Sequence, residues 1–205
     1  MRKSVVLPLI VLVMVSCGQK VKELSPYELE IVAFQDTLNA HYANPRESPL
    51  MKEDLPGFRG LDFYPIDKKY RVKARFTKVA DTTPFKMKTS TDRAPLYAKY
   101  GKLNFTLEGK DIELFVYQSV KYRAIEKYKD ELSLPYKDLT SGKTSYGGGR
   151  YIDLKIPEGD SIVIDFNKTY NPYCAYNHKY SCVIPPPENF IDLEIKAGTM
   201  KYGKH

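Results

Sequence analysis

Two cysteines and a histidine are evenly spaced in a proline-rich segment near the carboxyl end of the chain. Cys174, His178 and Cys182 lie four residues apart, between Pro172 and Pro185. Thiolate and imidazole groups bind zinc or copper, and three such ligands leave one coordination position open. This geometry requires a helix across the segment, which the flanking prolines disfavour. We therefore expect no metal or cofactor and keep the three-ligand site as an alternative.

The same two cysteines predict a disulfide. Cys174 and Cys182 enclose a loop of nine residues, and neighbouring cysteines in an oxidising compartment tend to pair. Closing a loop of that size stabilises a fold by about 2.6 kcal/mol in the chain-entropy account. We expect a disulfide between Cys174 and Cys182, with two free thiols as the remaining possibility.

Aromatic and polar residues crowd the segment around these cysteines, residues 165–189. Asp165 and Asn167 follow an apolar stretch two residues apart, so they point the same way. They either anchor the loop backbone or, for Asp165, supply a base. Tyrosines present a flat apolar body with a polar tip, which suits stacking on sugars or aromatic ligands; packing over strands is the alternative. The tyrosines of the segment are Tyr170, Tyr173, Tyr176 and Tyr180.

A glycine run stands just before a predicted strand. Residues 147–149 are glycines and Arg150 follows, so the amides could form an anion-binding nest to which Arg150 adds charge. The alternative is a tight turn in which Arg150 pairs with Asp138 or Asp165. No Lys-Ser or Lys-Thr pair follows, which argues against a nucleotide-binding loop. The candidate ligand-binding residues are thus Arg150, Asp165, Asn167, Tyr170, Asn171, Tyr173 and Tyr176.

One helix is predicted near the amino end of the chain. Ser25 offers a hydroxyl cap, Pro26 suits the first helical position, and Glu28 completes a capping box. We expect this amphipathic helix to pack on the domain, with a membrane-surface position as the alternative. Its apolar residues recur at spacings of three and four, at Ile31, Phe34, Leu38 and Tyr42, until Asn44-Pro45 ends the pattern.

The rest of the chain carries the two-residue alternation of half-buried strands. A glycine-centred link at 108–111 predicts a hairpin, and 157–160 predicts a turn between two further strands. Because no crossover helices separate the strands, we predict a mainly β fold: an antiparallel β-sandwich or partly open barrel with one N-terminal amphipathic helix. The predicted strands cover 70–76, 85–87, 96–98, 103–107, 112–116, 150–156, 161–166 and 190–196.

The first residues predict export. Arg2 and Lys3 precede an apolar run at 5–15 that is too short to span a bilayer comfortably. Val15-Ser16-Cys17, with Met14 ahead, is similar to a bacterial lipobox and predicts lipidation of Cys17. An ordinary signal peptide with an incidental cysteine is the alternative. The predicted divisions are a lipoprotein signal peptide at 1–16, a lipidated tether at 17–24 and a single β-rich domain at 25–205.

The residues behind Cys17 suggest a location. Gly18 is not the aspartate that retains lipoproteins at the inner membrane, and residues 19–23 hold no acidic cluster of the kind that directs some lipoproteins to the cell surface. We expect a lipid-anchored protein of the bacterial outer membrane that faces the periplasm. The chain is basic, with 32 Lys and Arg against 25 Asp and Glu, but export and the scatter of lysines among acids argue against a nucleic-acid partner.

Four ordered blocks carry a family resemblance: LPYKDLTSG at 134–142, TSYGGGRYIDL at 144–154, DFNKTYNPYCAYN at 165–177 and SCVIPPPENFIDLEIKAGTMKY at 181–202. In that order they resemble the bacterial domain of unknown function 1684 family, and residues 49–67 resemble its amino-terminal block. Val183 and Tyr136 stand where the family often has proline and phenylalanine, and Thr199 where an acidic residue is usual. The resemblance implies a fold and the region of a site, but no activity.

Three functional hypotheses follow. The first is an envelope lipoprotein that binds an unknown ligand or partner protein through the loop after Asp165. The second is an envelope hydrolase or metal-dependent enzyme that uses Asp165, His178 and Arg150, although no acyl-transfer motif or paired-carboxylate spacing supports it. The third is a purely structural lipoprotein. Fold analogy does not choose among them.

Overall fold

A computed structural model describes residues 23–203 of the chain. The predicted signal peptide and the predicted lipidation of Cys17 lie outside the described residues. Among the described residues, no helix combines the length and apolar character needed to cross a bilayer.

The predicted N-terminal helix is present as α1 (Pro26–Ala43). Its capping box is complete, because the Ser25 hydroxyl accepts from the Glu28 backbone N–H at 3.2 Å and the Ser25 N–H donates to the Glu28 carboxylate at 2.8 Å. Ile31 and Tyr42 are buried beneath it. An ion pair links the helix to the carboxyl-side part of the chain, because Lys168 Nζ lies 2.5 Å from Glu30 Oε1. It therefore packs on the domain, as expected.

Eight strands form a mainly antiparallel sheet that curls into a half-barrel, which confirms the predicted mainly β fold. The sheet order is β6-β5-β4-β3-β1-β7; β2 pairs with β3, and β8 lies parallel to β5. The strands are β1 (Arg71–Lys78), β2 (Phe85–Lys86), β3 (Leu96–Leu107), β4 (Lys110–Ser119), β5 (Glu131–Asp138), β6 (Arg150–Lys155), β7 (Ser161–Asp165) and β8 (Phe190–Ile191).

Short helical turns connect the strands. A second, four-residue helix, α2 (Val120–Arg123), follows β4. Single 3-10 turns occupy Leu55–Gly57, Lys68–Tyr70, Glu126–Tyr128, Phe166–Lys168, Tyr173–Ala175 and Pro187–Asn189.

The two predicted turns differ from each other in the structure. The hairpin between β3 and β4 closes with two residues, Glu108 at φ 49° and Gly109 at φ 77°, which is the positive-φ geometry that matches the twist of paired strands. The turn at 157–160 joins β6 to β7, but these strands do not pair with each other: β6 pairs with β5, and β7 pairs with β1. They are the two ends of the sheet order, so the half-barrel stays open between them.

Asn189 joins β4 and β5 where the two strands separate. These strands share one backbone pairing, Tyr117 with Ser133. Beyond it, the Asn189 side chain accepts from the Phe115 N–H at 2.8 Å and donates to the Phe115 and Pro135 carbonyls at 2.8 and 2.7 Å. The fully buried amide thus replaces missing strand-to-strand bonds.

Two apolar cores hold the elements together. The larger core lies on one face of the sheet and includes Leu103, Leu114, Leu134 and Ile164, all fully buried. The smaller core lies beneath the end of α1 and consists of Tyr42, Leu50, Leu61, Ala175 and Tyr176. The segment after β7 is therefore part of a core, which holds it in place.

Candidate functional site

Arg150 points into the larger core. Arg150 and the buried Ile152 are two positions apart on β6, so both side chains point to the core face of the sheet. Its Nη2 lies 2.6 Å from Asp138 Oδ2, with the two side chains 1% and 0% exposed, and its guanidinium also donates to the Ala197 and Ile195 carbonyls. The pairing with Asp138 that was one alternative is the one present. The placement of Arg150 in a ligand-binding surface is corrected, because the strand period turns it inward.

Asp165 and Asn167 form hydrogen bonds that link the turn after β7 to α1 and to the segment before β1. Asp165 Oδ1 accepts from the Tyr27 hydroxyl at 3.1 Å and from the Asn167 N–H at 3.0 Å. Asn167 donates to the Asp67 carbonyl at 2.9 Å and accepts from the Asp67 N–H at 3.1 Å. Both side chains are buried. Of the two predicted roles, the placement supports the anchoring role, and Arg71 Nη1 lies 3.7 Å from the second oxygen of Asp165, Oδ2.

Asn171 and Tyr176 are fully buried as well. The Asn171 amide donates to the Met200 carbonyl at 2.8 Å, and the Tyr176 ring packs edge-on against Tyr42 at 4.8 Å between ring centroids. The structure thus places five of the seven candidate ligand-binding residues in the scaffold. The two that remain, Tyr170 and Tyr173, line a cavity.

This cavity of about 460 Å³ lies between the end of α1, the sheet face opposite the larger core and the loop after β7. Its volume falls within the range of small-molecule sites. The helix contributes Phe34 and Leu38, and a loop before β3 contributes Arg93. We call it the tyrosine cavity, because its lining includes Tyr97, Tyr122, Tyr151, Tyr170, Tyr173 and Tyr180.

Strand β6 builds the floor of the tyrosine cavity by the same alternation that buries Arg150. Tyr151 and Asp153 occupy the face opposite Ile152. The Tyr151 N–H donates to the Tyr170 carbonyl at 2.9 Å, and the Tyr170 N–H donates to the Tyr151 carbonyl at 3.0 Å. This bridge draws the loop after β7 across the edge of β6, and the Tyr170 hydroxyl donates to Asp153 Oδ1 at 2.8 Å.

Asp153 lies where three surface concavities meet, since it lines the tyrosine cavity and both of its neighbours. The residue is exposed to solvent, although enough protein surrounds its carboxyl group for burial to affect its pKa. Burial raises the pKa of the Asp153 carboxyl above its ordinary value, the hydrogen bond from Tyr170 opposes this rise, and the charge of Glu131 adds to it. Asp153 is therefore a carboxylate held in a partly dehydrated concavity.

The raised pKa predicts that Asp153→Asn stabilises the fold. A carboxyl whose folded-state pKa exceeds its unfolded value disfavours its charged form in the folded protein, so the penalty exists above the folded pKa and disappears as pH falls through it. We expect a small rise in the melting temperature at pH 7 and a smaller one at pH 4, because solvent screens much of the effect at an exposed residue. Thermal denaturation against Asp36→Asn, an exposed position on α1, provides the control. A lower melting temperature for Asp153→Asn at pH 7 would contradict the assignment.

His41 closes the rim of the cavity. One ring nitrogen, Nε2, lies 3.0 Å from the Tyr173 hydroxyl, and the two rings stack at 6.1 Å between centroids. Sequence reasoning did not select His41, Arg93, Tyr97, Tyr151 or Asp153. For Tyr151 and Asp153 a signal was present, because the alternation along β6 places both on the face away from the core.

Cys174 and Cys182 lie next to each other but carry no disulfide in this structure. The Cys174 backbone N–H donates to Cys182 Sγ at 3.2 Å. The Cys182 thiol stabilises the Cys174 thiolate by a hydrogen bond and lowers the pKa of Cys174 to about 6, against the opposing effect of burial. The pKa of Cys182 is correspondingly raised. Their pairing stays a prediction.

The Cys174 thiolate predicts a distinctive alkylation profile in the reduced protein. We expect the rate with iodoacetamide to rise with pH and reach half its maximum near pH 6, because only the thiolate reacts. Peptide mass spectrometry reports Cys174 separately from Cys17. In Cys182→Ala the midpoint should move up by more than about one unit, toward the ordinary value near 8.5. Equal midpoints in the two proteins would show that Cys182 does not stabilise the thiolate.

The three-ligand metal alternative gains no support from these positions. His178 is exposed, and within residues 23–203 no three His, Cys, Asp or Glu side chains are grouped so that they could hold a metal ion. The enzyme hypothesis needed Asp165, His178 and Arg150 in one place. The first and last of these are committed to buried contacts on different elements.

Fold and cavity together define a curled antiparallel β domain whose N-terminal helix and carboxyl-side loop enclose a tyrosine-lined concavity. Residues 56–200 match the family described as protein of unknown function DUF1684, and the chain belongs to that family. Among solved structures, it is similar to the solution NMR structure of an uncharacterized protein from gene locus rrnAC0354 of Haloarcula marismortui. The identity is 31%, the match covers 87% of this chain and 96% of the other, and the TM-score is 0.67. A comparison with curated proteins found no match.

Proposed function

We propose that this protein binds a small molecule in the tyrosine cavity and does so at the cell envelope, as a lipid-anchored protein. One observation carries the binding proposal: a concavity of about 460 Å³ walled by tyrosines, with the carboxylate of Asp153 on its floor. Ligand sites combine an apolar, aromatic lining with a few polar groups that fix orientation. The tyrosine cavity has this composition.

The energetics of Asp153 support the proposal. A carboxylate in a partly dehydrated concavity costs stability, and groups with perturbed pKa values concentrate at functional sites. The Tyr170 hydroxyl satisfies one of its oxygens. A ligand that donates to the other oxygen would offset part of the cost. The charge of Asp153 does not stabilise the fold, but it could stabilise a bound ligand. Ligand binding therefore explains why a carboxylate is present at this position.

The proposed location of the protein depends on lipidation of Cys17. A lipid on Cys17 would leave the short tether at 17–24 before α1, which begins at Pro26, so the domain would lie close to the membrane. We propose the bacterial outer membrane, with the domain facing the periplasm, and propose that the compartment oxidises Cys174 and Cys182 to a disulfide. Labelling cells with a radioactive fatty acid tests the anchor: label should enter the wild type and be absent from Cys17→Ala. Label retained in that variant would refute it.

A ligand screen tests the binding proposal. We would screen amino acids, sugars and aromatic compounds by ligand-observed NMR against the wild type and Val183→Trp. Val183 lines the tyrosine cavity, so an indole there should obstruct it without removing a charge. The matched control is Leu139→Trp, at an exposed position outside the cavity. We expect compounds that bind the wild type and Leu139→Trp but not Val183→Trp. Equal binding to all three proteins, or binding by no compound, would contradict the proposal.

A further inference from the structure

We propose that the ligand of the tyrosine cavity is a zwitterion, whose ammonium group binds Asp153 and whose carboxylate binds Arg93. This inference rests on the proposed function and names the class of ligand. Among the described residues that line the cavity, Asp153 and Arg93 are the acid and the strong base. They have opposite charge, so the cavity has a negative and a positive pole.

Both charged groups act on Tyr97, which lines the same cavity. Tyr97 belongs to the cavity wall, and burial is the main cause of its raised pKa. The positive charge of Arg93 lowers the pKa of the same hydroxyl, while the negative charge of Asp153 raises it. The two charges therefore lie within electrostatic reach of a single phenol in the cavity lining.

The positive pole is held in place by the rim. Arg93 Nη2 donates to the Ser181 carbonyl at 2.6 Å, and the Ser181 hydroxyl lies 2.6 Å from Thr91 Oγ1. These contacts tie the loop before β3 to the loop after β7. A guanidinium has five N–H donors in a rigid fork, so the bond to Ser181 leaves donors for a carboxylate.

Asp153, the negative pole, has one oxygen that could accept a hydrogen bond from a ligand. Asp153 Oδ1 accepts from Tyr170, whereas Oδ2 accepts no hydrogen bond from residues 23–203. An ammonium donates up to three hydrogen bonds and is attracted to the faces of aromatic rings. Tyr97, Tyr151 and Tyr170 line the same concavity as Asp153. An ammonium at Oδ2 would thus meet both a charge and aromatic walls.

Other classes of ligand would leave Asp153 or Arg93 without an oppositely charged partner. A simple cation at Asp153 gains nothing from Arg93, and a simple anion at Arg93 gains nothing from Asp153. A neutral sugar would dehydrate both charges without neutralising either, which costs free energy. An amino acid with a flat apolar side chain matches both poles and the tyrosine walls. The cavity volume of about 460 Å³ is sufficient for a ligand of this size.

Three probes of nearly equal shape separate these possibilities by calorimetry. L-phenylalanine carries both charges, phenethylamine carries the ammonium alone, and 3-phenylpropanoate carries the carboxylate alone. We expect L-phenylalanine to bind the wild type at least tenfold more tightly than either of the others. Asp153→Asn should remove the advantage over 3-phenylpropanoate, and Arg93→Gln the advantage over phenethylamine. Arg75→Gln, at an exposed position on β1, should bind all three as the wild type does.

The outcomes distinguish the inference from the proposed function. If phenethylamine or 3-phenylpropanoate binds the wild type as tightly as L-phenylalanine, the zwitterion is refuted while the cavity still binds a ligand. If none of the three binds but another compound is lost in Val183→Trp, the inference again fails and the proposed function stands. If no compound is lost in Val183→Trp, both fail.

Discussion

Asp138→Ala is expected to destabilise the fold by about 3–5 kcal/mol, because it leaves the guanidinium of Arg150 buried without its counter-charge. Asp138 and Arg150 are 2.6 Å apart with side chains 0% and 1% exposed, so bulk solvent does not screen the charge that remains. The change should appear in urea denaturation as a lower midpoint with a similar slope, since the surface exposed on unfolding stays nearly the same.

Two controls separate the buried charge from ordinary truncation. Arg150→Met should also destabilise the fold, because the Ile195 and Ala197 carbonyls lose their donor. Asp138→Ala/Arg150→Met should therefore lose less stability than the sum of the two single variants, because the double-mutant cycle isolates the ion pair. Glu113→Ala breaks an exposed pair with Lys102 and should cost less than about 1 kcal/mol. A double variant that loses the full sum of the two single losses would mean that the ion pair is not the source of the loss.

Asn189→Leu is expected to cost about 3–5 kcal/mol, because three backbone groups, two on the half-buried Phe115 and one on the buried Pro135, lose their hydrogen-bond partner at once. Leucine has nearly the same shape, so the loss is one of polarity rather than of volume. Hydrogen exchange should show where the loss occurs: the Phe115 N–H, which Asn189 now satisfies at 2.8 Å, should lose protection.

Asn104→Leu is the matched control on the neighbouring strand. Asn104 donates to the exposed Glu113 carboxylate at 3.1 Å, so its replacement should change stability by about 0.5 kcal/mol or less. If Asn189→Leu were as well tolerated as Asn104→Leu, the amide would not be a substitute for strand pairing between β4 and β5.

Features that depend on neighbouring residues could be predicted from the sequence. The start of α1 is determined by Ser25, Pro26 and Glu28, and the structure forms the capping box those residues predict. Strand positions follow a local period of two, and β1, β4, β6 and β7 lie where that period occurs. The hairpin also forms, although its turn uses two residues rather than four.

Features that depend on distant residues could not be predicted in the same way. Asp165 and Asn167 are polar and follow a strand, which suggests a surface site, but Tyr27 reaches them from 138 and 140 positions away and covers them. Arg150 is a different case. Its place on β6 beside Ile152 predicts an inward side chain, but the glycines before it favoured a turn. The period of the strand was the better guide.

The candidate site was predicted in part. The tyrosines of the loop after β7 were expected either to line an aromatic groove or to pack over strands. Tyr170 and Tyr173 line the tyrosine cavity, whereas Tyr176 is buried in the smaller core. Asp153 and Arg93 come from a strand and from a loop far earlier in the chain. Only the curl of the sheet brings these segments together, and no local pattern records that curvature.

Tyrosine-ring NMR on protein labelled at the ring carbons tests the central claim most directly. During titration with the tightest compound from the screen, we expect the ring signals of Tyr97, Tyr151 and Tyr170 to shift together with a single dissociation constant. The rings of Tyr64 and Tyr70, which are buried outside the cavity, should remain in place. Shifts confined to Tyr64 and Tyr70, or different constants for the three cavity rings, would contradict a ligand site in the tyrosine cavity.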